Sequence, residues 1–288
     1  MSDVFFLSLP NARLAYRLYE NPNATSESCC LLLHGAGVAG EITYGDMVPY
    51  LTPWRWMLVP DLKGMGESFH EHGEEAPVQI EQLSAEVKAL LEHLNWQEFD
   101  MVGYSLGGLV GLHLNQTLTL QGKSPRKMAL LEPASLDRED LSTLMTVRLK
   151  YREASKLIRE TGDVELGVAQ FMDGVSPNRR KHPVAEATTQ SRLAHRAFGF
   201  AYALDAVTNY VEKMQEKPTL RADMLACAEQ VLLFSGQLSH QDLQQHYDRL
   251  SETMEGWQHV VMSACDHSLP FQKPRQIAKH INNWFSAK

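Results

Sequence analysis

Short, almost wholly apolar runs recur along this 288-residue chain, separated by loops and by stretches of helical periodicity. Strands buried on both faces of a parallel sheet have this composition, whereas a strand with one face in solvent alternates apolar and polar residues. Between the runs, stretches such as residues 78–95 place their apolar side chains on one face of a helix. The alternation predicts an α/β protein with a mostly parallel sheet flanked by helices. The predicted strands lie in the stretches SCCLLLHG, WRWMLVPDLKG, EFDMVGYS, KMALLEPAS, EQVLLFSGQ and WQHVVMSACDH.

One region departs from this alternation. Between residues 137 and 221 the sequence has helical patterns and no convincing strand, although predicted strands lie on either side of it. Such a stretch predicts a helical lid, or cap, inserted between two strands of the core. The core then consists of residues 1–136 and 222–288, and an amphipathic helix near the C-terminus completes it.

Composition excludes several classes of function. The chain has 27 Lys and Arg against 35 Asp and Glu, a formal charge of −8, which is unfavourable for binding nucleic acid. No apolar stretch is long enough to span a membrane, and the N-terminus lacks the basic start of a signal peptide. The four cysteines, Cys29, Cys30, Cys227 and Cys265, have no disulfide-framework spacing. We therefore expect reduced thiols and a cytoplasmic protein.

A candidate nucleophile lies in the stretch DMVGYSLGGLVGLHL. Ser105 is the central residue of a Gly-x-Ser-x-Gly pattern that runs from Gly103 to Gly107, preceded by a predicted strand and followed by a predicted helix. In this context the serine sits on a sharp strand-to-helix turn that lifts its hydroxyl above the end of the sheet. Side chains at the two glycine positions would collide with the neighbouring strand and helix. The pattern therefore predicts that Ser105 is a catalytic nucleophile.

Together with three further motifs, this turn resembles the α/β-hydrolase fold superfamily, in its lidded serine hydrolase branch of esterases and lipases. The motifs are HGAG at residues 34–37, DLKGMGES at 61–68 and CDHSLPFQKP at 265–274. They occur in the family's order and the resemblance covers nearly the whole chain. It implies an oxyanion hole formed by the backbone amides of Ala36 and Leu106, with Gly35 and Tyr104 next to the substrate.

The loops that carry these motifs have expected structural roles. His34 is expected to hold the oxyanion loop by hydrogen bonding rather than to act in acid–base chemistry. Asp61, Gly64, Gly66 and Ser68 are expected to form a turn that braces the site.

The resemblance also indicates the general base. His267 follows the last predicted strand, at the same end of the sheet as Ser105, and parallel sheets collect their sites at those carboxyl ends. A serine hydroxyl is a weak nucleophile until a base accepts its proton. His267 is therefore the predicted base, and the neighbouring Asp266 is expected to point away from the site.

The triad acid is less clearly indicated. In most relatives it is an aspartate in a Gly-x-x-Asp turn after the penultimate strand, and here that turn runs from Gly236 to Ser239, with serine in the aspartate's place. Glu132 ends an earlier strand, from which haloalkane dehalogenases and certain lipases take their acid. Asp242 lies three residues beyond Ser239. We take Glu132 as the predicted acid and Asp242 as the alternative; a third interpretation is a Ser–His dyad without a carboxylate.

These residues indicate a class of reaction. A serine nucleophile argues against the haloalkane dehalogenase and epoxide hydrolase reactions of this fold, which use aspartate. It fits a carboxylesterase-like hydrolase of a small or medium ester, thioester or lactone. Carbon–carbon bond hydrolysis and a non-catalytic binding protein of the same fold are the alternatives. No ligand spacing of the His-Glu-x-x-His kind occurs, so we expect no metal and no cofactor, and the expected partner is a small-molecule substrate.

Overall fold

A single sheet organises the computed structural model, which describes residues 3–24 and 27–286. In these residues the sheet has nine strands. Eight of them lie in the order β1-β2-β4-β3-β6-β7-β8-β9, and the ninth, β5, pairs with the first two residues of β2. The strands are β1 (Val4–Leu9), β2 (Ala12–Glu20), β3 (Cys29–Leu33), β4 (Trp56–Pro60), β5 (Phe69–His70), β6 (Asp100–Tyr104), β7 (Met128–Leu131), β8 (Val231–Gly236) and β9 (Trp257–Met262).

Strands β3, β4 and β6 to β9 pair in parallel, and each falls within one of the six predicted stretches. Their apolar runs are continuous because both faces of the sheet are covered. Leu31 and Leu33 face one core cluster, whereas Cys30 and Leu32 face the other. The prediction of a mostly parallel sheet flanked by helices is confirmed.

An antiparallel hairpin of β1 and β2 extends the sheet at its edge, and it was not among the predicted strands. Strand β1 lies at this edge, and its side chains Phe5 and Phe6 remain 45% and 39% exposed. A strand of this kind has neither the continuous apolar run of a buried strand nor a strict alternation, so its sequence carries a weak signal.

Helices cover both faces of the sheet. Their bounds are α1 (Gly40–Tyr44), α2 (Ile80–His93), α3 (Leu106–Thr119), α4 (Leu141–Lys156), α5 (Val164–Val175), α6 (Pro183–Ala194), α7 (Ala197–Glu216), α8 (Thr219–Ala226), α9 (Gln241–Thr253), α10 (Leu269–Gln272) and α11 (Pro274–Ser286). A short π-helical turn, Leu157–Thr161, extends α4. Among the described residues, no helix is both long and apolar enough to cross a membrane.

The chain between β7 and β8, all of it described, contains helices α4 to α8 and no strand. We call α4 to α7 the helical insertion. It has a core of its own, in which Tyr151, Phe171, Phe200 and Leu204 are buried together with Val38 of the body. The helical insertion therefore lies over the loop that follows β3, at the carboxyl ends of the parallel strands. That it acts as a lid remains a prediction.

Candidate active site

Ser105 occupies a sharp turn between β6 and α3. Its backbone has φ 50° and ψ −115°, a conformation that a residue with a side chain rarely adopts. A Cβ atom on Gly103 would lie 2.8 Å from the Cα of Gly108, and one on Gly107 would overlap the carbonyl oxygen of Leu33. Only glycine fits these two positions, which explains the pattern around the serine.

The structure brings Ser105, His267 and Glu132 together at the carboxyl ends of the strands. Nε2 of His267 lies 3.2 Å from Oγ of Ser105, and its Nδ1 lies 2.7 Å from Oε2 of Glu132. The serine follows β6, the glutamate follows the neighbouring β7, and the histidine comes from the loop after β9. These contacts connect a hydroxyl, an imidazole and a carboxylate in the order that base-activated serine chemistry requires.

Glu132 is fully buried, and its carboxylate is bonded to hydrogen-bond donors. Its Oε1 accepts hydrogen bonds from the backbone N–H of Gly236 at 2.7 Å and from the hydroxyl of Ser239 at 2.5 Å. With His267 on Oε2, the carboxylate has three donors, which offsets the cost of burying its charge.

Asp242, the alternative acid, lies outside this arrangement. Its Oδ2 is 3.4 Å from Nε of Arg138, and its side chain is half exposed. Asp266 is likewise directed away from Ser105, because it accepts hydrogen bonds from the backbone of Ser268 and from the amide of Gln272. Of the carboxylates considered from the sequence, Glu132 is the one that contacts His267.

The environment of His267 favours a basic imidazole. Burial on its own would lower the pKa of His267, but the hydrogen bond and charge of Glu132 outweigh burial, and the pKa lies above its ordinary value. The backbone of His267 is fixed as well: its N–H donates to Oγ of Ser176, and its carbonyl accepts from the hydroxyl of Tyr104 at 2.9 Å. Tyr104 therefore positions the histidine loop in addition to lining the space beside Ser105.

Two residues beside Ser105 have backbone amides without a protein acceptor among the described residues. Leu106 is the first residue of α3, so its N–H has no acceptor within the helix, and Ala36 lies in the loop after β3. In the described part of the chain neither N–H donates to a protein acceptor, and both residues line the cavity that contains Ser105. Unused donors beside a nucleophile can stabilise an oxyanion.

His34 connects the loop that follows β3 to the loop that follows β4 through hydrogen bonds. Its Nδ1 hydrogen bonds to the carbonyl of Gly35 at 2.7 Å, and its Nε2 accepts from the N–H of Leu62 at 2.8 Å. Burial lowers the pKa of His34, more than the charge of Asp61 raises it, so the imidazole is neutral as this bonding pattern requires. Gly35 packs against Tyr104, because a Cβ on Gly35 would lie 2.7 Å from the tyrosine ring.

Asp61 joins the two loops on either side of this region. Its carboxylate accepts from the backbone of Gly40 at 2.7 Å and of Glu67 at 2.8 Å, and its carbonyl accepts from the hydroxyl of Ser68. Gly64 and Gly66 have positive φ, which a tight turn requires here. These residues form a hydrogen-bonded turn, and that the turn braces the site remains a prediction.

Two cavities meet at Ser105. The first, which we call the inner cavity, is lined by Ser105, Leu106 and Glu132 together with Asp137, Arg148 and Tyr151. The second contains Tyr104 and Phe271 and shares Met172 and Arg192 with a large open groove along α5 and α6. Sequence reasoning did not identify Arg148, because nothing in its local pattern indicates where it points. It noted Ser239 as the residue in the expected place of the acid, but not as a hydrogen-bond partner of Glu132.

The described residues contain no cluster of three or more His, Cys, Asp or Glu side chains that could hold a metal ion. The four cysteines form no disulfide with one another.

Comparison with known proteins agrees with this geometry. Residues 30–280 match the alpha/beta hydrolase family. The chain belongs to the alpha/beta hydrolase family. Within the curated proteins, this alpha/beta hydrolase is 34% identical over 80 residues to a pyrrolizixenacetamide deacetylase from Xenorhabdus hominickii, a match that covers 28% of this chain and 29% of that protein.

Solved structures of similar fold include hydrolases of different specificity. A loop variant of a haloalkane dehalogenase from Bradyrhizobium elkanii superposes with a TM-score of 0.72 at 18% identity, covering 99% of this chain and 96% of that one. A thermophilic esterase from Thermogutta terrifontis superposes with a TM-score of 0.70 at 18% identity, covering 98% of each chain. At these identities the likeness concerns the fold.

Proposed function

We propose that this alpha/beta hydrolase cleaves an ester-type bond, in an ester, a thioester or a lactone, through an acyl-enzyme on Ser105. The observation that carries the proposal is the chain of contacts from Ser105 through His267 to Glu132, 3.2 Å and 2.7 Å long. An esterase is among the proteins of similar fold, and the name of the Xenorhabdus relative describes removal of an acetyl group. Both activities are acyl transfers to water.

In this proposal each group has a role that its contacts support. Nε2 of His267 accepts the proton of the Ser105 hydroxyl as Oγ bonds to the substrate's carbonyl carbon, and the N–H groups of Ala36 and Leu106 stabilise the oxyanion. Glu132 keeps the Nδ1 proton in place and stabilises the imidazolium. His267 then gives its proton to the departing alcohol or thiol, and the acyl group remains on Ser105. Attack by water on the acyl-enzyme, again with His267 as base, releases the acid.

Labelling with a fluorophosphonate tests this proposal directly. The reagent should add its mass to one peptide, the one that contains Ser105, and p-nitrophenyl acetate should release a burst of phenolate equal to the enzyme concentration. Ser105→Ala is the control and should lose both signals while keeping its circular dichroism spectrum. By analogy with serine proteases the loss of rate is about 10⁴-fold or more. Activity of Ser105→Ala within tenfold of the wild type would exclude the acyl-enzyme.

A further inference from the structure

The inner cavity contains a buried cation with few partners. Arg148 projects from α4 and is 3% exposed. Its Nη2 donates to the carbonyl oxygen of Leu204 at 3.1 Å, and its guanidinium lies 4.8 Å from the centre of the Tyr151 ring. Among the described residues its Nε has no hydrogen-bond partner, and Arg148 forms no ion pair. A guanidinium has five N–H donors, and here one of them is used by the protein.

Arg152, one turn further along the same helix, has the hydrogen-bond and ion-pair partners that Arg148 lacks. Its guanidinium makes a two-pronged ion pair with Glu212 and also bonds to Asn209, at the outer surface of the helical insertion. A buried charge without a counter-ion is strongly unfavourable unless something pairs with it. Arg148 lacks the partners that Arg152 has, and its free donors face a cavity. The charges of Asp137 and Asp205 favour the charged guanidinium, but within the described residues neither carboxylate bonds to it, so its unused donors are available to an anion that enters the cavity.

The position of Arg148 relates this anion to the reaction. Arg148 and Ser105 line the same inner cavity, and so do Ala36 and Leu106, whose N–H groups the proposed function assigns to the oxyanion. The second cavity leads from Ser105 to the open groove along α5 and α6. A leaving group must depart while the acyl group is still bound to Ser105, so the open side suits the leaving group. The inner cavity then holds the acyl group.

The other charged groups of the inner cavity are compatible with an anion. Arg138 adds a second guanidinium, whose Nε lies 3.4 Å from Asp242. Glu132 is already bonded to three donors. Asp137 forms no ion pair within the described residues, and burial raises its pKa more than the charges of Arg148 and His267 lower it. The direction of this shift weakens the repulsion between Asp137 and an anion in the cavity.

The inner cavity also limits the length of the acyl group. The centres of water-sized molecules can occupy about 30 Å³ of it, which corresponds to roughly two waters. Beyond the carbonyl carbon there is room for a short chain only. A guanidinium matches carboxylates and phosphates in two-point hydrogen bonding, and the planar carboxylate is the smaller of the two groups, which suits this volume.

We propose that Arg148 binds a carboxylate at the far end of a short acyl group, so that the substrate is a monoester or monothioester of a short dicarboxylic acid. This inference rests on the proposed function, because it assigns the acyl side of the Ser105 reaction. Arg148 is then the residue that selects the substrate.

Three ethyl esters of similar size test the charge of the acyl group. Monoethyl succinate carries the carboxylate, ethyl isocaproate replaces its two oxygens by methyl groups, and ethyl β-alaninate carries an ammonium. Released ethanol gives kcat/KM for each ester. Because a hydrogen-bonded charge pair discriminates strongly, we expect the wild type to prefer monoethyl succinate over ethyl isocaproate by about 10- to 100-fold. Arg148→Met should reduce this ratio to about one, and Arg148→Lys should keep part of it.

Arg152→Met is the matched control, because it removes a guanidinium from the same helix outside the inner cavity; its ratio should equal that of the wild type. A wild-type ratio of one or below, a preference for ethyl β-alaninate, or an unchanged ratio in Arg148→Met would each overturn the inference. If Arg148→Met does not fold, the inhibition constants of succinate and isocaproate for the wild-type enzyme test the inference instead. Succinate must then bind at least tenfold more tightly than isocaproate.

The same experiments separate this inference from the proposed function. Labelling of Ser105 together with hydrolysis of the neutral ester and no preference for the anion rejects the role of Arg148 alone. No labelling and no hydrolysis of any of the three esters rejects the proposed function, and the inference with it.

Discussion

The hydroxyl of Ser239 donates to Oε1 of Glu132 over 2.5 Å, and the two residues are 107 positions apart in the chain. The resemblance of the sequence to its family leads us to expect the acid at the position of Ser239, whereas Glu132 follows the adjacent strand. Strands β7 and β8 are parallel neighbours, so the two residues meet at one edge of the sheet. The carboxylate therefore comes from the neighbouring strand, and the residue at the usual position is a hydrogen-bond donor to it.

Replacing the acid should disable the base. In Glu132→Gln the amide NH₂ group can face Nδ1 of His267, which favours the tautomer with its proton on Nε2, and this tautomer cannot accept the Ser105 proton. In serine proteases the equivalent change costs about 10⁴-fold in kcat, and we expect about 10³- to 10⁴-fold here. Steady-state kinetics with p-nitrophenyl butyrate measures the loss.

Asp242→Asn is the matched control for this prediction, because it removes the other candidate carboxylate. Asp242 contacts Arg138 rather than His267, so the variant should retain activity within about tenfold of the wild type, as expected for a half-exposed ion pair. A severe loss in Asp242→Asn combined with a mild one in Glu132→Gln would assign the acid to Asp242.

Ser239 is a positioning residue, and its removal should change the basicity of the site. In Ser239→Ala the carboxylate of Glu132 keeps the N–H of Gly236 and loses the hydroxyl. A less stabilised carboxylate attracts the imidazolium more strongly, so the pKa of His267 should rise further. We expect kcat/KM to fall about tenfold, the effect of one hydrogen bond to a charged group. An upward shift in the midpoint of the pH profile distinguishes this role from a purely structural one, which would lower the rate without moving the midpoint.

Activity should depend on the neutral form of His267. Glu132 raises the pKa of His267 above its ordinary value, and protonated imidazole cannot accept the serine proton. The rate should therefore rise with pH through a midpoint above about 6.5, the unperturbed histidine value. In Glu132→Gln the residual activity should have a lower midpoint, because burial then dominates. A profile of kcat/KM that is flat from about pH 5 to 8 would contradict a histidine base.

The parallel part of the fold follows from local patterns, because burial on both faces leaves a signature in each strand separately. The same is true of Ser105, because the strand, the Gly-x-Ser-x-Gly pattern and the helix that form its turn are contiguous in the sequence. The hairpin of β1 and β2 has no such signature, since its exposure is decided by its place at the edge of the sheet. Local sequence is a good predictor where the physical constraint is itself local.

The acid and Arg148 are the opposite case. Glu132 is distinguished from Asp242 by the partners that β8 and the histidine loop bring to it, and those partners are distant in the sequence. Arg148 occurs in a helix rich in charged residues, where its neighbours Lys150 and Arg152 are partly or fully exposed. The packing of α4 against α7 is what buries Arg148, and the sequence of α4 alone does not show it.

A buried ion pair between the loop of residues 61–68, which we call the bracing loop, and α2 supports the last prediction. Nζ of Lys63 contacts Oε1 of Glu86; the lysine side chain is 1% exposed and the glutamate side chain 10%. No other hydrogen bond to Lys63 occurs within the described residues. Removing one member of a buried pair leaves the other charge without compensation, which is far more costly than replacing both.

Glu86→Gln should therefore lower the free energy of unfolding by about 3 kcal/mol. Glu92→Gln on the same helix is the matched control. Glu92 pairs with Lys88 four residues earlier, but its side chain is 59% exposed, so we expect a loss of at most about 0.5 kcal/mol. Urea denaturation at neutral pH measures both values from the shift in the midpoint at constant slope. Equal losses in the two variants would show that the Lys63–Glu86 pair is as well solvated as an exposed one. The double replacement Lys63→Met with Glu86→Leu should recover much of the loss, because it removes both charges and keeps apolar volume between the bracing loop and α2.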